Sequence, residues 1–77
     1  PNHLSRIFKE YTGKTLHSYI IELRLQKANK LLLTTDDPVS AISEICGFDS
    51  PAYFIKCFKK HFGISPKKYR RENSKML

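Results

Sequence analysis

Apolar residues recur at helical spacing along most of the chain. Leu4, Ile7, Phe8 and Tyr11 fall at i, i+3, i+4 and i+7, one face of a helix running from near Pro1 to Tyr11. Gly13 follows where a left-handed helix end is wanted, and Thr15 is placed to cap the next helix. That helix is predicted over about Leu16 to Leu33 and carries two apolar stripes. Leu16, Tyr19, Ile20, Leu23 and Leu31 mark one; Leu25, Ala28 and Leu32 mark the other. Two stripes imply two separate packing partners. No sustained alternation with period two appears, and Val39 is the only valine, so strands are not expected.

"TTDDP" interrupts the pattern. Asp36 or Asp37 is positioned to cap, and Pro38 suits a first helical turn. A short helix is predicted from Val39 to Cys46, with Val39, Ile42, Ile45 and Cys46 inward. In "CGFDSP", Gly47 permits the positive φ of a sharp turn, Phe48 is an apolar plug beside it, and Ser50 and Pro51 are an N-cap and first-turn pair. The next helix is predicted from Pro51 to Phe62, with Phe54, Cys57, Phe58 and Phe62 inward and Gly63 as its stop. Ser65 and Pro66 open a last helix that frays before Met76.

The first and last thirds spell one pattern twice. "FKEYTG" at Phe8 to Gly13 returns as "FKKHFG" at Phe58 to Gly63. At the same offset Leu4 meets Phe54, Arg6 meets Lys56, Thr15 meets Ser65 and Tyr19 meets Tyr69. Core, basic, capping and aromatic positions recur in register, which implies a duplicated unit of helix, glycine stop and capped helix start. In the second copy a short helix and the "GFDS" turn precede the shared helix, which makes a helix-turn-helix. The same offset puts the corresponding front helix of the first copy ahead of Pro1, so the first motif is expected to be incomplete.

Charge gives this architecture a direction. Fourteen Lys and Arg against seven Asp and Glu leave a formal +7 in 77 residues. That balance favours a polyanion: nucleic acid first, an anionic membrane surface second. No apolar run approaches the ~18 residues of a membrane span. Cys46 and Cys57 match no zinc spacing and read as buried free thiols, which suits a reducing, cytoplasmic compartment. His3, His17 and His61 lack ligand spacing, so no metal or cofactor is expected. His61 and Glu44 make a conceivable acid/base pair, but no pocket-forming constellation surrounds them, and an enzyme is not expected.

On a wheel of about 100° per residue, Asn2, Ser5, Arg6 and Lys9 lie opposite the apolar face of the first unit. In the second unit Ala52, Lys56, Lys59 and Lys60 point outward, with Tyr53 and Ile55 at the edges. Small or hydrogen-bonding residues near the helix start with lysines behind them suit a helix in the major groove, side chains on bases and cations on phosphates. The bland alternative is a solvated lysine face. The alternative from another class is a basic helical protein-interaction module docking an acidic partner.

"HLSRIFKEYTGKTLHSYI", "KANKLLL" and "VSAISEICGFDSPAYFIKCFKKHFGISPKKYRR" together resemble the DNA-binding domain of AraC/XylS-type bacterial transcription regulators, over nearly all of Pro1 to Arg71. The resemblance implies an all-α, homeodomain-like fold, two helix-turn-helix subdomains joined by a long linker helix, with this chain similar to helices three to seven. Residues 1–15 would be the remainder of the first motif, 16–33 the linker, and 34–77 the second motif with its C-terminal helix. It implies base contacts from Asn2, Ser5 and Arg6, and from Pro51, Ala52, Tyr53, Ile55 and Lys56. Phosphate contacts fall to Lys9, Ser50, Lys59, Lys60, Lys67 and Lys68. Pro51 and Ala52 stand where family members often carry polar residues such as Gln, leaving contact with a thymine methyl, or mostly backbone binding, in that place. The implied partners are double-stranded operator DNA, RNA polymerase in the full regulator, and a separate sensing or dimerisation domain.

Overall fold

Residues 9–10 and 13–74 are described in the computed structural model. Lys9 and Glu10 are helical, and four further helices follow: α1 (Leu16–Thr34), α2 (Val39–Ile45), α3 (Pro51–Phe62) and α4 (Pro66–Ser74). No strand occurs among the described residues. Leu4, Ile7, Phe8 and Tyr11, the expected inward face of the first segment, lie outside them.

Short-range chemistry sets most of the boundaries. Thr15 Oγ1 accepts the Ser18 N–H at 3.0 Å to open α1. Ser50 Oγ accepts the Tyr53 N–H at 3.1 Å to open α3, with Pro51 in its first turn. Ser65 Oγ accepts the Lys68 N–H at 3.2 Å to open α4. Each bond satisfies one of the donors a helix start leaves without a partner. The opening of α2 departs from expectation. Pro38 occupies its N-cap position and no side chain caps it; the Asp37 N–H turns instead to Thr35 Oγ1 at 3.3 Å. Asp36 and Asp37 therefore do not cap, because the loop closes on the threonine hydroxyl.

Gly47 makes the turn between α2 and α3 with φ +88°. The Phe48 N–H reaches Ser43 O at 3.0 Å and the Gly47 N–H reaches Glu44 O at 3.1 Å, the paired bonds of a Schellman ending. The space over Gly47 is taken as well: a methyl there would lie 3.3 Å from Arg24 Nε. The motif drives Phe48 into the core beside Ile42, and Ser43, itself buried, donates to Ser50 O at 3.3 Å. The end of α2 is thereby tied to the start of α3.

The core is built from Leu25, Ala28 and Leu32 of α1, Ile42 and Cys46, and a run of rings: Phe48, Phe54 and Phe58. Ring centroids are 5.0 Å apart for Phe48 and Phe54, and 5.8 Å for Phe54 and Phe58. Tyr69 of α4 meets Phe58 edge-on at 5.5 Å, which carries the stack across to the last helix. α1 touches each of the other three helices. Four expected inward positions are not inward. Ile45 is 50% exposed, because α2 ends there and its buried side is already supplied by Ile42 and Cys46. In the first stripe of α1, Tyr19, Ile20 and Leu23 are 37–46% exposed, since α2, α3 and α4 gather on the Leu25–Ala28–Leu32 side; Leu31 alone joins the core rim. Cys46 is buried and Cys57 half-buried; both are free, and burial raises the Cys46 thiol pKa.

Arg70 locks α4 to the end of α1. Its guanidinium donates to Leu32 O at 3.0 Å, Thr35 O at 3.1 Å and Asp37 O at 2.6 Å. These carbonyls lie in the last turn of α1 and the loop beyond it, where helix geometry supplies no donor. A planar group with five N–H donors satisfies three of them together.

Candidate nucleic-acid interface

The best-defined candidate surface is the outer side of α3. Phe54 and Phe58 are fully buried, which fixes the helix about its axis. Pro51, Ala52, Tyr53, Ile55, Lys56, Lys59 and Lys60 are then all exposed. Around the helix, at about 100° per residue, Pro51, Ile55 and Lys59 share one side, Ala52 and Lys56 lie along the crest, and Lys60 and Tyr53 occupy the other flank. Tyr53 is held from below by Phe48, with centroids 6.1 Å apart. Hydrogen bonding with the Cys57 thiol is the leading cause that pushes its hydroxyl pKa upward.

Charge is unevenly placed. Residues 31–55 contain no Lys or Arg and hold Asp36, Asp37, Glu44 and Asp49, so the second motif turns positive only from Lys56 onward. Lys59, Lys60 and His61 occupy the last turn of α3, where cations also complement the helix dipole. Ser50 spends its hydroxyl on the cap, and its carbonyl accepts the Phe54 N–H at 3.1 Å. Lys67 and Lys68 are exposed in the first turn of α4.

Of the first copy, Lys9 is exposed and helical. Asn2, Ser5 and Arg6 lie outside the described residues. The glycine stop is realised identically in both copies. The Gly13 N–H bonds Lys9 O at 2.7 Å with φ +75°, and the Gly63 N–H bonds Lys59 O at 2.8 Å with φ +84°.

An open groove of about 480 Å³ runs between the first half of α1 and the flank of α3. Ile21, Leu25 and Cys57 contribute apolar lining, with Lys14, His17, Lys60 and His61 around them. Lys14 Nζ lies 2.7 Å from Glu22 Oε2, and this hydrogen bond holds the Glu22 carboxyl below its ordinary pKa. His61 and Glu44 line different depressions and form no pair. Among the described residues no three His, Cys, Asp or Glu side chains gather to hold a metal ion, and no helix is long and apolar enough to cross a membrane.

A family model described as a helix-turn-helix domain matches residues 1–72. The chain belongs to this helix-turn-helix family. The xylose operon regulatory protein of Escherichia coli K12 is 40% identical over 76 residues, 99% of this chain and 19% of that protein. A solved AraC-type transcriptional regulator from Chromobacterium violaceum superposes with a TM-score of 0.84 at 37% identity, over 92% of this chain and 63% of that one. The DNA-binding domain of AdpA, solved in complex with a target DNA, superposes with a TM-score of 0.87 at 32% identity, over 92% of this chain and 64% of that one. The resemblance to AraC-type DNA-binding domains read from the sequence therefore holds, and the chain spans about a fifth of the length of the xylose regulators it matches.

Within this AraC-type domain, α2, the Gly47 turn and α3 form a helix-turn-helix, and α1 is the long helix in front of it. Two arginines that shape it carried no sign in the sequence. Arg70 sits in a basic run indistinguishable from a solvated face, and Arg24 has no acidic neighbour at helical spacing that would mark it as a structural residue.

Proposed function

We propose that this domain is the part of a bacterial transcription regulator that reads double-stranded operator DNA, with α3 in one major-groove segment and the helix containing Lys9 in the next. The observation that carries the reading is the outer side of α3. It begins with short side chains on a capped, turn-locked helix and ends in a ridge of lysines, in a family that includes a member solved on its target DNA. Residues 16–33 act as the linker that sets the spacing of the two helices, ~34 Å if the duplex is straight, between a first unit in 1–15 and a second in 34–77. Asn2, Ser5, Arg6, Pro51, Ala52, Tyr53, Ile55 and Lys56 face bases. Lys9, Ser50, Lys59, Lys60, Lys67 and Lys68 face phosphates. In the full regulator, cytoplasmic on this reading, RNA polymerase and a sensing or dimerisation domain complete the partners.

Selection of binding sites from a random duplex pool tests this. One duplex sequence should be enriched, with log K falling against log salt at a slope near −5 to −7 for roughly six to eight phosphate contacts. Lys59→Ala should reduce that slope by about one without changing the preferred sequence. Binding that ignores duplex sequence would overturn the reading and favour an acidic protein partner.

A further inference from the structure

We propose that α3 selects thymine by its 5-methyl group, through a contact patch made by Ala52 and Ile55. This rests on the DNA reading above and goes on to say which base chemistry the second motif recognises.

The first turn and a half of α3 reads Pro51, Ala52, Tyr53, Phe54, Ile55. Direct readout by hydrogen bonding needs a two-pronged group: arginine or lysine on guanine, asparagine or glutamine on adenine. None of these five residues supplies one, and Phe54 is buried. The exposed side presents hydrocarbon: Ile55 is 39% exposed, and Ala52, one turn earlier, is exposed beside it. The thymine methyl is the apolar feature of the major-groove edge. Burying it against Ile55 removes hydrocarbon of both partners from water, whereas a guanine or cytosine edge there would lose its water to a surface with no hydrogen bond to offer.

The surroundings commit the patch to DNA. Lys59 and Lys60 rise beside it on the same helix, a charge arrangement that suits flanking phosphates. The helix is also fixed before binding. The Ser50 cap, the Gly47 turn and the buried Phe54 and Phe58 leave it little freedom to rotate, so the patch meets the base edge without an ordering cost. Ala52 and Ile55 are about 4.5 Å apart along the axis, against about 3.4 Å per base pair. The patch therefore covers one or two neighbouring thymines.

The experiment uses the full chain and the duplex it selects. Each thymine of the segment read by α3 is replaced in turn by deoxyuridine, which removes the methyl and keeps the base pair, and affinity is read by fluorescence anisotropy at fixed salt. One or two positions should lose affinity about three- to fivefold each, the factor expected for one buried methyl group. Ile55→Ala should bring that thymine-to-uracil ratio close to one at the affected position. Lys60→Ala should weaken binding overall and leave the ratio standing, which separates methyl contact from general damage to the helix. Sequence-selective binding indifferent to every uracil replacement would overturn the thymine proposal and leave the DNA reading intact. Absence of any duplex preference would overturn both.

Discussion

Around Gly13 and around Gly63 the backbone makes the same bonds, and then the two copies part. In each, a glycine with positive φ closes on a lysine carbonyl four residues back, a hydroxyl caps the next helix, and a tyrosine N–H bonds the cap residue's carbonyl, at 3.0 Å for Tyr19 and 2.9 Å for Tyr69. Beyond that point Tyr69 stacks with Phe58 and Phe62 and opens the way for Arg70 to grip α1. Tyr19 is 39% exposed, and the residue in register with Arg70 is Ile20, 37% exposed. The first copy opens a helix of 19 residues and the second one of 9. Local hydrogen bonding is thus repeatable from sequence, whereas burial depends on what lies across the gap.

Separating the two copies gives the largest expected effect. Leu23→Pro removes an internal bond of α1 and clashes with the preceding turn, a cost of about 3 kcal/mol or more to the helix. Duplex affinity, measured by anisotropy, should fall by at least about 100-fold. Wild-type affinity would mean that the two units act without a rigid connection. Next comes the arginine that one copy has and the other lacks. Arg70→Met strips three carbonyls of their donor and should lower unfolding stability in urea by about 2–3 kcal/mol, while Ile20→Ala at the matching position should stay within about 0.5 kcal/mol. Arg70→Lys should recover less than half, because an ammonium is a compact point donor and not a planar fork.

Smaller effects sharpen the likeness. Gly13→Ala and Gly63→Ala meet no atom within 4 Å, so each should cost only the left-handed backbone penalty, about 1–2 kcal/mol. Gly47→Ala should cost more than either, since its methyl also displaces Arg24. Equal losses at all three would remove the packing role given to Arg24. The smallest effect belongs to Lys14, whose partner Glu22 is in register with Glu72 but which is itself in register with the uncharged Ile64. The Glu22 carboxyl titrates below its ordinary value in the folded state, so its contribution is present above the unfolded pKa and is lost as pH falls through the lowered folded one. Lys14→Gln should leave the urea midpoint nearly unchanged at neutral pH, and the difference from wild type should vanish in acid.

Helix stops and starts were legible because Gly13, Gly47, Gly63, Thr15, Ser50 and Ser65 act on neighbours within a few residues. Helix α1 ends one residue past its expected limit, at Thr34, since Thr34 and Thr35 fold their hydroxyls back onto Lys30 O and Leu31 O, each at 2.8 Å. The aspartates before α2 misled because two adjacent carboxylates look like caps, while Pro38 takes the N-cap position and the Asp37 N–H turns back to the Thr35 hydroxyl. Ile45 misled because a seven-residue helix needs only one narrow apolar side, and periodicity cannot tell which end residue falls off it. The outward set of α3 was readable once its phenylalanines were assigned inward. The grip of Arg70 was not, because its targets lie 33 to 38 positions away and are backbone atoms that every residue possesses.

That last property bears on how such a domain diverges. A clasp whose receiving atoms belong to the main chain does not read the identity of Thr35 or Asp37, so mutational drift in that loop can proceed without the two ends of the domain coming apart. The demand falls on the donor: changing a side chain of the loop leaves the clasp its acceptors, whereas position 70 needs a planar fork of N–H groups.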